Sequence, residues 1–148
     1  MSFENELICT DSKGNKNRFL YSITKSDEDG RVKWIFRVMP DNMNASDWYE
    51  FAVTKIDDFT GKVTLMNNRN MIQYRGKGIT EKLIDESSKV LNITIVSSTN
   101  IPSAKSLATE WRTEPATKIW ERLKAKGAAS HDEQTDIYTY LKNSLNES

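Results

Sequence analysis

Gln73-Tyr74-Arg75-Gly76-Lys77-Gly78-Ile79-Thr80 stands between a strand-like run, Val63-Thr64-Leu65-Met66, and a stretch of helical periodicity, and the reading of this junction decides the fold. Downstream of it, Leu83, Ile84, Ser87, Val90 and Leu91 recur at helical spacing, while Glu81, Lys82, Asp85, Glu86 and Lys89 take the opposite face. That pattern predicts a helix lying on a sheet. Asn92-Ile93-Thr94-Ile95-Val96-Ser97 then alternates with a period of two, as a buried strand does. Strand, glycine turn, helix and strand make a βαβ crossover, so the flanking strands should run parallel. At such a junction the first backbone N–H groups of the helix lack partners and the helix dipole is positive, so main chain can bind an anion, phosphate above all. Gly76 and Gly78 allow close approach and unusual dihedrals, and Arg75 and Lys77 add charge. A plain basic turn is the competing reading, and spacing alone does not separate the two.

Working outward, the segment before the junction reads as strands. Arg18 to Thr24 is rich in aromatic and β-branched residues, Ser26-Asp27-Glu28-Asp29-Gly30 offers turn chemistry, and Val32 to Met39 returns, which predicts a hairpin. Trp48 to Thr54 reads as a third strand, and Asp57-Asp58-Phe59-Thr60-Gly61 leads into a fourth, Lys62 to Asn68. After the crossover, Thr113-Glu114-Pro115 opens a second helix with a capping Thr and a Pro in the first turn. Ile119, Trp120 and Leu123 give its apolar stripe and Gly127 closes it; residues 128–136 are expected to add at most a short strand, and Ile137 to Leu141 a last one. The expected class is α+β: a mixed, mainly antiparallel sheet with a central βαβ crossover and helices packed on it.

The 148 residues suit one domain, 1–148, ending in a polar tail at 143–148. Lys and Arg number 21, as do Asp and Glu, so no general pull toward nucleic acid or anionic membrane is expected. The single Cys9 cannot form an internal disulfide, no run reaches transmembrane length and none resembles a signal peptide, which together suggest the cytoplasm. His131 has no partner at metal-ligand spacing, so no metal site is expected.

Residues 62–142 resemble the GNAT superfamily of acetyl-coenzyme A-dependent N-acetyltransferases. The segment Gln73 to Thr80 is similar to that family's coenzyme-binding motif, a Gln or Arg, two residues, Gly, one residue, and Gly or Ala. Starting at Gln73 satisfies the motif literally. Starting at Arg75 puts the family's helix leucine at Leu83 and is preferred here; it leaves Thr80 at the last small position, where its side chain would crowd the pyrophosphate or donate a hydroxyl to it. Thr113 to Gly127 is similar to the family's second element, with Thr113 where Asn is usual and Trp120 where a Tyr often protonates the departing thiolate. An indole N–H supplies no proton, so Trp120 is read either as core packing or as a coenzyme contact.

The resemblance implies a three-layer α/β arrangement, acetyl-coenzyme A as cosubstrate, and a coenzyme site made of Asn70, Arg75, Gly76, Lys77, Gly78, Ile79, Thr80 and Trp120, with backbone donors for the thioester oxygen near Asn70. It also implies a small-molecule or protein amine as acceptor; a homodimer or protein partner is left open. The family's two helices between its first strands, which form much of the acceptor site, have no counterpart in residues 10–62, which read as hairpins. Residues 100–111 form an extra segment whose latter part reads as a short helix. The fourth strand has no carboxylate, so Glu50 is the candidate base, with a solvent-facing Glu as the competing reading; Asp57 and Asp58 read as turn residues. Tyr138 or Tyr140 are alternatives for the missing acid, against ordinary packing roles. A catalytically impaired coenzyme-binding or interaction module is the second functional reading, and exposure of Trp48, Tyr49 or Trp111 would favour it.

Overall fold

The computed structural model describes residues 3–28, 30–40, 48–67 and 72–141. Eight strands form one sheet: β1 (Asn5–Thr10), β2 (Lys16–Glu28), β3 (Arg31–Pro40), β4 (Tyr49–Asp57), β5 (Thr60–Asn67), β6 (Thr94–Val96), β7 (Ala129–Asp132) and β8 (Ile137–Tyr140). Their order is β1-β2-β3-β4-β5-β6-β8-β7. The expected hairpin is β2–β3, in unbroken register from Phe19 opposite Pro40 to Glu28 opposite Arg31. Strand β1 was not expected; its alternation of buried Leu7 and Cys9 is only two apolar residues long, too short to stand out, and it pairs antiparallel with β2.

Strand β5 and strand β6 pair parallel through the helix α1 (Ile79–Leu91), as the period change around the glycines predicts. Helix α1 buries Ile79, Leu83 and Ile84, each contributing roughly 1.5–3 kcal/mol by leaving water. It stops at Asn92, whose left-handed φ of 53° carries the chain off the helix axis. Helix α2 (Glu114–Ala125) starts on a Thr113 cap whose hydroxyl accepts the Ala116 N–H at 3.2 Å. It ends in a Schellman arrangement at Gly127 (φ +76°), with the N–H of Ala128 on Leu123 O and that of Gly127 on Lys124 O.

Register places Leu7, Phe19, Tyr21, Phe36, Val38, Tyr49, Phe51, Val53 and Ile95 on one sheet face, and these form a single core with Leu83 of α1 and Trp120 and Leu123 of α2. Tyr21 donates to Glu86 and Tyr140 to Asp85, both on α1, while Arg122 of α2 bridges to Glu81 of α1. Both helices therefore lie on the same face. The described residues make two layers, which corrects the three-layer expectation: no helix forms in the described part of residues 10–62, and the second face receives a strap, residues 97–113, instead. The latter part of that strap is also not helical; its one helical turn is a 3₁₀ turn at Pro102–Ala104. Pro102 favours a tight first turn, and Glu110 then captures the backbone N–H groups of Ser106 and Leu107, which pins an open loop.

Candidate functional site

Three features meet where β5 and β6 part. Parallel pairing runs only from Thr60 opposite Thr94 to Lys62 opposite Val96. Just beyond it, β5 carries a bulge: Val53 faces Val63 but Ala52 faces Leu65, so Thr64 is an extra residue. A bulge bends and twists its strand. Strand β6 turns instead toward β8, with Val96 opposite Thr139 and the Ser97 N–H on Tyr138 O, so residues 64–67 keep β4 on one side and face a slot on the other. The slot, about 140 Å³, is lined by Val63 to Met66, Ser98, Trp111, Arg112, Thr113, Ala116 and Trp120.

The glycine bend borders a separate hollow, and α2 passes both: Ala116 and Trp120 line the slot, Ile119 and Arg122 the hollow. Gly76 and Gly78 both have positive φ, 66° and 76°, and Gly78 is the residue from which α1 starts. A side chain at Gly78 would stand 2.4 Å from the carbonyl oxygen of Thr10 at the end of β1, whereas one at Gly76 would meet open space. The glycine at 78 thus answers two demands at once, conformation and clearance. A hollow of about 270 Å³ is lined by Tyr49, Tyr74 and the run Arg75 to Glu81, with Ile119 and Arg122 of α2 across from it. The carboxylate of Glu81 would repel an anion there, but Arg122 at 2.7 Å and Lys126 at 3.5 Å neutralise it. Arg75, Lys77 and Arg122 are the basic side chains that border the hollow.

The site residues read from the sequence separate as follows. Arg75, Gly76, Lys77, Gly78, Ile79 and Thr80 all border this hollow. Thr80 lies within the first turn of α1 and its hydroxyl is hydrogen-bonded to Tyr49 Oη, so the side chain is turned toward β4. Asn70 lies outside the described residues. Trp120 is fully buried, stacked on Tyr138 with ring centroids 6.0 Å apart, and one edge borders the slot, so packing and site wall are both its roles. Glu50 faces Asn67 across β4–β5, on the sheet face away from the helices, and pairs with Arg37 at 3.1 Å. Asp57 accepts the Phe59 N–H, as a turn residue does. Tyr138 donates to Glu121 and Tyr140 to Asp85; burial first, then the carboxylate, pushes the Tyr138 phenol up to about 12, and Tyr140 rises for the same causes. Both hydroxyl protons are held by carboxylates. Tyr49 is buried, Trp48 half-buried and Trp111 exposed at 69%, where it forms part of the slot mouth.

Sequence reading missed the groups that fix the strap. Lys62 and Glu110 are both fully buried and paired at 3.0 Å on the second sheet face. Burial alone would raise the Glu110 carboxyl, but the N–H groups of Leu107 and Thr99, the Lys62 ammonium and the Ser106 N–H together hold it below the ordinary carboxylate range. Arg112 is the second anchor: it donates to Ser98 O at 3.1 Å and Asp136 O at 2.6 Å, pairs with Asp136, and lies over the Tyr138 ring. His131, on the short strand β7, bonds the other oxygen of Asp136 at 2.7 Å. Nothing local marks these residues, since a Lys in a strand and a Glu in a loop read as solvated. Among the described residues no cluster of His, Cys, Asp or Glu is arranged to hold a metal, and no helix is long and apolar enough to cross a membrane. A larger hollow, about 380 Å³, lies beside Phe59, Ile93 and Tyr140; it shares no residue with the bend or the slot and has no basic side chain.

Comparison of the chain with family models, with curated proteins and with solved structures gave no match.

Proposed function

We propose that this protein is an acetyl-coenzyme A-dependent N-acetyltransferase of GNAT type, with a reduced first half. The observation that carries the reading is the slot between β5 and β6, opened by the Thr64 bulge, with α2 bordering both it and the hollow at the glycine bend that starts α1. A coenzyme laid there would put its diphosphate against the backbone N–H groups of the bend, with Arg75, Lys77 and Arg122 about it. Its pantetheine would follow β5, whose backbone on that side meets no strand and so offers N–H and C=O groups to the amides of the arm. The positive φ angles at Gly76 and Gly78, and the turn of Thr80 toward Tyr49, support the motif register beginning at Gln73 over that beginning at Arg75.

The chemistry is direct transfer. An amine that has lost its ammonium proton attacks the thioester carbonyl; the N–C bond forms, the C–S bond breaks, and the thiolate leaves with the electron pair. The nitrogen's second proton is released and the thiolate takes one up, giving amide and free thiol. Backbone of Thr64 to Met66 would stabilise the oxyanion. Glu50, one strand from β5, is the proposed base for the first proton. The second reading, a coenzyme-binding or interaction module without turnover, is favoured by two observations: Trp120 stands at the slot and the Tyr138 hydroxyl is engaged by Glu121, so neither supplies a proton to the thiolate, and Trp111 is exposed at 69%.

Thiol release from acetyl-coenzyme A in the presence of an amine panel separates them. Amine-dependent release is expected, falling by about 10²-fold or more in Glu50→Gln if that carboxylate is the base. A protein that binds the coenzyme yet releases no thiol with any amine would return the second reading.

A further inference from the structure

The second sheet face holds a polar cavity of about 310 Å³ lined by Arg31, Lys33, Thr54, Thr64, Leu107, Thr109 and Glu110. It neighbours the slot: Thr64, the bulged residue, lines both. Its floor is sheet: Lys33 stands opposite Thr54 in the β3–β4 register, and the hydroxyls of Thr54 and Thr64 are 2.9 Å apart. Its wall is the strap, fixed from below by the Lys62–Glu110 pair and tied at its edge by Arg31, which donates to Ser106 O at 3.3 Å.

Among the described residues the charge of this cavity is one-sided: Glu110 is the only carboxylate in its lining, and Lys62 together with the N–H groups of Thr99, Ser106 and Leu107 already satisfies it. Arg31 and Lys33, two residues apart on β3, project to the same face by strand alternation. The Lys33 ammonium has no hydrogen-bond or ion-pair partner among the described residues, and Arg31 spends one donor on a neutral carbonyl. Two cations beside a neutralised carboxylate and two hydroxyls suit an anionic group and repel a polycation.

We infer that this cavity is the acceptor site, and that the acceptor is a small amine carrying an anionic group, carboxylate or phosphate, on the same molecule. The anion lies against Arg31 and Lys33, and the amine end reaches past Thr54 and Thr64 to the slot. This inference rests on the transferase reading for its reaction, but the anion site stands on the cavity alone.

The test is a titration followed by backbone amide NMR shifts, with two matched pairs of probes: lysine against cadaverine, and phosphoethanolamine against ethanolamine. At least one member carrying a carboxylate or phosphate is expected to shift the amides of Lys33, Thr54 and Thr64 saturably, with tenfold or more advantage over its purely cationic partner. Lys33→Glu is expected to remove that advantage, and Lys33→Gln to weaken it, with melting temperature and coenzyme A binding unchanged. The two anionic probes distinguish carboxylate from phosphate. Equal or better binding of cadaverine and ethanolamine, no saturable shift with either anionic probe, or indifference to Lys33→Glu overturns the inference. Coenzyme A titrated in parallel keeps the two readings apart: binding of coenzyme A without an anionic amine sinks the acceptor site alone, and binding of an anionic amine without coenzyme A sinks the transferase reading alone.

Discussion

Gly76 and Gly78 are two residues apart in one bend, share a positive φ and yet answer to different constraints. At Gly76 a methyl group meets nothing within 4 Å, so Gly76→Ala carries only the left-handed backbone cost, about 1–2 kcal/mol. At Gly78 the same methyl stands 2.4 Å from Thr10 O, so either the bend or the end of β1 must move. We expect Gly78→Ala to lose clearly more stability than Gly76→Ala in urea unfolding, by at least about 1 kcal/mol beyond the backbone cost. Equal losses would mean that the bend does not rest on β1. A sequence shows two glycines and cannot show this difference, because the neighbour at Gly78 is 68 positions away along the chain, from 10 to 78. The same holds for Thr80: its small polar side chain suggests a phosphate contact, while its actual partner, Tyr49, belongs to a strand brought alongside only by the fold.

Among the elements, those with a strong local period were legible, and the irregular one was not. The β2–β3 hairpin, the crossover helix and the Thr113 cap follow from alternation, helical spacing and capping chemistry. The strap at 97–113 carries no period, so its conformation is set by where its polar groups find partners. Its Lys62–Glu110 pair is out of water on both sides, and removing one member leaves the other charge buried alone, at a cost of about 3–5 kcal/mol. The pH dependence follows from the direction of the Glu110 shift. Its folded carboxyl titrates below the unfolded one, so its stabilisation is fully present above the ordinary carboxylate range, near pH 4.3, and is lost as pH falls through the lower folded value. Asp136, which burial alone would raise but His131 and Arg112 together bring below its ordinary value, acts in the same sense. Urea midpoints measured between pH 6 and pH 2 should therefore fall steeply for wild type. Glu110→Gln should start lower and fall less steeply, whereas a parallel curve would show that this pair is not what acid breaks.

For the whole molecule, the mixed sheet and the single parallel pair were readable, and the number of layers was not. Layering depends on which face each helix chooses, and amphipathic stripes of α1 and α2 fit either face until Arg122 meets Glu81 and Tyr21 and Tyr140 meet α1. The candidate site shows the same division. The glycine bend was visible as residues, but the slot exists only because Thr64 bulges, β6 leaves after Val96 and Ala116 is small where α2 passes β5. Ala116→Leu should thus fill the slot while leaving the bend intact. The most direct measurement is calorimetric titration of wild type and Ala116→Leu with coenzyme A and with its nucleotide fragment, adenosine 3′-phosphate 5′-diphosphate, which keeps the pyrophosphate and lacks the pantetheine. Wild type should bind coenzyme A more tightly than the fragment, and Ala116→Leu should bind both equally, having kept the diphosphate contacts and lost those of the pantetheine. Wild-type silence toward coenzyme A at millimolar concentration, or undiminished binding in a folded Ala116→Leu, would contradict the account.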